Sequence, residues 1–138
     1  MMETFNEEDI EEIIQDNRDL VNERGDSFGV NKEELDKIFD NVNNFGEIFD
    51  LRMRIIKKSA WILGGITFYQ PFNDGNKETA LSLTIHFLRE NDMDLPINSR
   101  SDKKEIYELL TKTVLKFEDD PTIISEIEEY LFRKVVCI

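Results

Sequence analysis

The residues with the clearest chemical potential are Gln70-Pro71-Phe72-Asn73-Asp74-Gly75-Asn76-Lys77-Glu78-Thr79-Ala80. A compact polar loop with Gly, Asn and Lys runs here into the start of an apolar helix. Such a loop suits a phosphate, because the amides at a helix N-terminus point outward and carry partial positive charge. Glycine lets backbone approach a ligand closely, and a hard cation bridging phosphates wants one or two carboxylates. The simpler alternative is an Asn-Asp-Gly turn that only caps a helix.

Other chemistries find no support. The spacing around Gly75-Asn76-Lys77 is not that of a P-loop. One histidine, His86, and one cysteine, Cys137, cannot make a zinc ligand set, and a nucleophile–base–acid arrangement would have to use His86, near which nothing suggests one. The asparagine-rich residues 40–46 lack the alternating acids and closing glutamate of a calcium loop. A single cysteine closes no intrachain disulfide.

The elements that must hold this loop read as helices. Asn6 caps a first helix, with Glu7, Glu8 and Asp9 in its first turn and an end between Asn22 and Gly25. A second runs from Asn31 to Asn43. A third begins near Phe45 or Gly46 and runs to Tyr69. Its later part, from Ala60 to Ile66, is apolar on nearly all sides, which marks a central helix. Gly64-Gly65 within it reads as a close helix crossing, or else a kink. A fourth helix, 76–91, is also central. Ser101 caps a fifth, 102–117, and Asp119-Asp120-Pro121 opens a sixth, with Pro121 in the first helical position. No alternating strand pattern of useful length is visible. The expectation is one all-α domain over residues 1–138, a bundle of about six helices around a central apolar helix pair.

Composition narrows the partners. The chain has 138 residues, 40% of them hydrophobic, with three prolines, six glycines and a net charge of −13. Nucleic acid and anionic membrane are poor partners for that charge, and a basic protein is a good one. The acidic N-terminus lacks a signal-peptide apolar core, and no apolar run approaches the ~20 residues of a membrane span. The expected location is cytoplasmic.

The segment 70–80 resembles the Fic/Doc (Fido) family, whose motif reads His-x-Phe-x-Asp/Glu-Gly-Asn-Gly/Lys-Arg. It is most similar to the short Doc (death-on-curing) toxin branch, where Asn-Lys-Arg-Thr-Ala leads into a helix ending Phe-Leu-x-x-Asn. Here that ending is Phe87-Leu88-Arg89-Glu90-Asn91. Phe28-Gly29-Val30 before Glu34-Leu35, and the apolar helix ending at Tyr69, look similar to the Doc layout, so the resemblance covers about residues 8–97. It implies a Fido-type all-α bundle. It also implies transfer of an AMP or phosphoryl group from ATP or another nucleotide, with Mg²⁺, to a protein hydroxyl. Carried over, Phe72 is the buried anchor of the loop, Asp74 the Mg²⁺ carboxylate, and Gly75, Asn76 and Lys77 the phosphate cradle. The implied partner is a protein, either an antitoxin or a translation-factor-like target. Homo-oligomers are left open.

Two positions depart from the motif. Gln70 stands at the family's general base, and an amide cannot hold a proton at neutral pH. Losing a general base costs on the order of 10²–10⁴ in rate. Glu78 stands at the family's phosphate-binding arginine, a change of two charges. One charge at about 5 Å in an effective dielectric near 20 is worth roughly 3 kcal/mol. Glu78 is either a solvent-facing first-turn acid or a built-in competitor for anions in the cradle. Glu126, Glu128 and Glu129 are either a solvated face or a mimic of the family's inhibitory glutamate helix. The expectation is a protein impaired in transfer that acts by binding. The alternatives are an active transferase toxin with altered chemistry and an acidic non-enzymatic scaffold, so enzyme status stays open.

Overall fold

The computed structural model describes residues 3–45, 47–115 and 121–138. Within them lie six helices: α1 (Glu7–Arg24), α2 (Lys32–Asn43), α3 (Leu51–Tyr69), α4 (Asn76–Glu90), α5 (Arg100–Val114) and α6 (Pro121–Lys134). The expected all-α bundle is the observed one.

Helix ends follow local chemistry. Asn6 and Asp9 form a reciprocal capping box on α1, and Gly25, with φ 74°, closes it in the left-handed region. Asn31 caps α2. Two starts differ from expectation. α3 begins at Leu51 because the Asp50 side chain accepts the Met53 amide; Phe45 and residues 47–50 stay outside the helix, and Gly46 lies outside the described residues. α5 begins at Arg100 because Ser99, not Ser101, pairs with Asp102 in a capping box. Pro121 does open α6, while the expected α5 end at Phe117 and the Asp119-Asp120 lead lie outside the described residues.

α3 is the centre. It packs most extensively on α4, then on α6 and α2, and also touches α5. Ile55, Ile56, Ile62, Leu63 and Ile66 of α3 meet Phe87 and Leu88 of α4 in one continuous core with Phe39 and Leu35 of α2. The glycine pair is a double crossing. A Cβ on Gly64 would lie 2.7 Å from Ile127 Cδ1 and 2.8 Å from Ile124 Cδ1, and one on Gly65 would lie 2.9 Å from Ile38 Cγ2. α6 and α2 therefore approach α3 on two sides at adjacent residues.

Lys58 of α3 is 2% exposed. It donates to the Glu3 carbonyl, and burial holds its pKa below the usual lysine range. With the Arg54–Glu3 ion pair at 2.6 Å and a two-way amide pairing of Asn43 with Phe5, it ties the N-terminal segment to α2 and α3.

Extended structure is slight. β1 (Met93–Asp94) pairs antiparallel with β2 (Val136–Cys137), and Val30 makes an isolated antiparallel bridge to Phe72. Two-residue strands are too short to leave an alternating pattern in sequence. Among the described residues no helix is long and apolar enough to cross a membrane.

Candidate functional site

The loop between α3 and α4 carries the site. Gln70 is the C-cap of α3, with φ 48° and ψ 61°, its N–H donating to the Ile66 carbonyl at 3.1 Å. A non-glycine residue in this left-handed region costs roughly 1–2 kcal/mol. The turn it makes sends the chain back across the end of the bundle, and its side chain is exposed. Phe72 is 3% exposed and joins the core, as an anchor should.

Asn76 shapes the loop from within. Its Oδ1 accepts the Phe72 amide at 3.0 Å and its Nδ2 donates to the Phe72 carbonyl at 2.8 Å. Expected at a phosphate, this side chain is turned onto the loop backbone instead. Gly75 is the N-cap of α4 with φ 75°. A Cβ there would lie 3.2 Å from atoms of Asn17, Leu20 and Val21. Both the backbone conformation and the close approach of α1 therefore favour glycine.

Asn17 is a residue of the candidate site that sequence reasoning missed. It is fully buried on α1. Its Nδ2 donates to the Asp74 carbonyl at 2.9 Å and to Thr79 Oγ1 at 3.1 Å, which fixes the underside of the loop. The signal was present: Asn17 interrupts the buried stripe Ile10, Ile13, Ile14, Val21. A polar residue on a core stripe needs a partner.

The segment after α1 lies along this loop as a strap. Asn31 N–H donates to the Pro71 carbonyl at 2.6 Å, and Asn73 N–H to the Gly29 carbonyl at 2.9 Å. The Ser27 amide donates to Asp74 Oδ2 at 3.1 Å. Phe28 is held under the Arg18 guanidinium, 4.4 Å from the ring centre.

The charged side chains point apart. Lys77 Nζ donates to Thr111 Oγ1 on α5 at 3.4 Å. Glu78 pairs with Arg24 at 3.2 Å, and Arg24 also pairs with Asp26 at 2.8 Å. Asp26, and after it Glu78, raise the guanidinium's pKa still further. The Glu78 carboxylate is thus turned to α1. Two of the C-terminal acids have cations of their own: Glu126 pairs with Lys112 and Glu128 with Lys57. His86 is 66% exposed and lies 3.7 Å from Glu90. It sits ten residues along α4 from Asn76, about 15 Å at 1.5 Å per residue.

A metal fits this site in one way. Among the described residues no three His, Cys, Asp or Glu side chains gather into a cage. Mg²⁺ held mainly by phosphates and water needs only one or two carboxylates. Asp74 commits Oδ2 to Ser27, and its Oδ1 has no hydrogen-bond partner among the described residues.

The sequence model of the Fic/DOC family matches residues 5–88, more than half of the chain. The protein belongs to the Fic/DOC family. Searches among curated proteins and among solved structures return no match.

Proposed function

We propose that this Fic/DOC-family protein acts by binding a protein partner and has lost efficient nucleotide-dependent AMP or phosphoryl transfer. The carrying observation is Gln70 at the head of the loop, with the chain's one histidine far along α4. No imidazole stands where a hydroxyl proton would be taken. The surrounding cradle keeps its shape through Asn17, Asn76 and Gly75, so fold and chemistry have separated.

Three further features support a binding role. Asn76 is bonded to the loop itself, Lys77 leans on α5, and position 78 carries a carboxylate paired with Arg24 rather than a cation free to meet an anion. Mg²⁺ with a nucleotide, if loaded here, would be held by Asp74 Oδ1 and the Gly75–Lys77 amides, and would supply charge neutralisation at the phosphates.

A second reading, transfer with altered chemistry, draws on Arg24. Its guanidinium lies beside position 78 and restores a positive charge near the α4 N-terminus. Calorimetry with Mg·ATP separates the two readings: absence of heat at millimolar nucleotide rules out the second. Incubation with α- or γ-labelled ATP and a protein extract tests the first. No labelled protein is expected, and labelling that disappears in Asp74→Ala would overturn it. Restoring Gln70→His together with Glu78→Arg then asks whether the scaffold still supports Mg-dependent labelling.

A further inference from the structure

α1 and α4 run antiparallel, since Asn17 reaches Thr79 while Leu20 and Val21 lie against Gly75. Between them lies a groove of about 510 Å³. Ile13, Leu20 and Leu83 give it an apolar lining, and Glu12, Asp16 and Glu78 supply its charge. Glu12 and Asp16 are exposed.

Among the described residues, Glu78 is the one groove acid with a local cation. Glu7 pairs with Lys32, Asp26 and Glu78 share Arg24, and Glu3 pairs with Arg54. Glu12 and Asp16 have no ion-pair partner among the described residues. With Glu8 they form a row at four-residue spacing on one face of α1. Like charges at that spacing repel one another and destabilise the helix. An apolar floor edged by uncompensated carboxylates is complementary to a segment that carries both cations and an apolar side chain. It repels phosphate backbones and anionic lipid.

We propose that the α1–α4 groove docks a lysine- or arginine-bearing segment of a partner protein, with an apolar side chain on the floor and cations at Glu12 and Asp16. The groove follows α4 from Glu78 to His86, about 12 Å at 1.5 Å per residue. That matches roughly four residues of extended chain at about 3.3 Å each. No nucleotide chemistry enters, so the proposal stands or falls separately from the state of the α4 N-terminus.

The test is fluorescence anisotropy of the full chain with a labelled peptide of alternating lysine and leucine, and with a second peptide in which serine replaces leucine. The expected result is binding of the lysine–leucine peptide that weakens about tenfold in Glu12→Gln/Asp16→Asn. In Glu33→Gln/Glu129→Gln, which removes the same charge from exposed positions elsewhere, the change should stay within about twofold. The serine peptide should bind about tenfold more weakly than the leucine one. Equal weakening by both variant pairs would show diffuse attraction to an acidic surface, and equal binding of the two peptides would show that any polycation suffices. Either result, or no binding by the unaltered chain, overturns the proposal. All four substituted side chains are exposed, and circular dichroism confirms that the variants fold.

Discussion

The backbone amide of Ser27 donates to the carboxylate of Asp74 at 3.1 Å. The acid best placed to meet a cation is thereby already tied to the strap that follows α1. A ligand reaching Asp74 Oδ2 has to displace that amide, whereas one using Oδ1 does not. Asp74→Ala should speed hydrogen exchange at Ser27 while leaving the Asn31 and Asn73 amides protected, because their acceptors are backbone carbonyls. The loss in unfolding free energy should be about 1 kcal/mol. Residue-resolved exchange by NMR reads both parts.

Arg24 and Glu78 join the last turn of α1 to the first turn of α4. Glu78→Arg alone places two guanidinium groups side by side. The expected stability loss is small, since both groups are well exposed. Arg24→Glu combined with Glu78→Arg should recover most of it. A thermal-denaturation double-mutant cycle measures the coupling, and additive single effects would show that the pair contributes nothing. With arginine restored at position 78, Arg24 keeps Asp26 as its partner, and Arg24→Gln is a useful companion to that repair.

Asn76 satisfies both backbone groups of Phe72. Asn76→Ala leaves a buried N–H and a buried carbonyl unpaired, at a cost of about 1–3 kcal/mol for each group left without a partner. Asn76→Asp keeps the acceptor and loses the donor, so it should fall between. Urea denaturation ranks the three proteins.

Gly64→Ala improves helix propensity by about 1 kcal/mol yet forces a methyl against Ile124 and Ile127. Overpacking should dominate, with a net loss of about 1–2 kcal/mol. Adding Ile127→Val removes one of the opposing Cδ1 atoms and should return part of the stability. A rise in thermal midpoint for Gly64→Ala alone would show that α6 simply moves away.

Burial, with Glu105 and Asp102 nearby, raises the Tyr130 phenol to about 12 from an ordinary value of 10.0. The folded state holds this proton more tightly than the unfolded chain. The stability it contributes is complete below pH 10 and is lost as pH rises from 10 towards 12. Absorbance at 295 nm should show a late tyrosine step, and Tyr130→Phe should remove it.

Much of this was legible in the sequence, for identifiable reasons. Long apolar periodicity fixed the six helices, and Gly64-Gly65 in a helix apolar on all sides announced its close crossings. Loop glycines and first-turn acids located α1, α2 and α4 well. The start of α3 was misplaced because Asp50, a capping acid, competes with the glycine that precedes it. Ser99 and Ser101 are equivalent caps until Asp102 is counted as the reciprocal partner. Within the site, the motif identified the loop, but not which way each side chain turns. Arg24 lies 54 positions from Glu78 in the chain, and no local pattern links them. Asn17 was detectable in principle as the polar member of a core stripe.

The strap and the α3–α4 loop are joined largely by main-chain bonds, from Asn31 to Pro71 and from Asn73 to Gly29. Main-chain bonds depend less on side-chain identity than side-chain contacts do, since every residue but proline carries the same donor and acceptor. Mutational drift can therefore exchange the reactive letters of such a loop while its contour persists, so that descendants inherit a silhouette after the trade has been given up. In such a loop, selection on shape and selection on turnover act on different atoms.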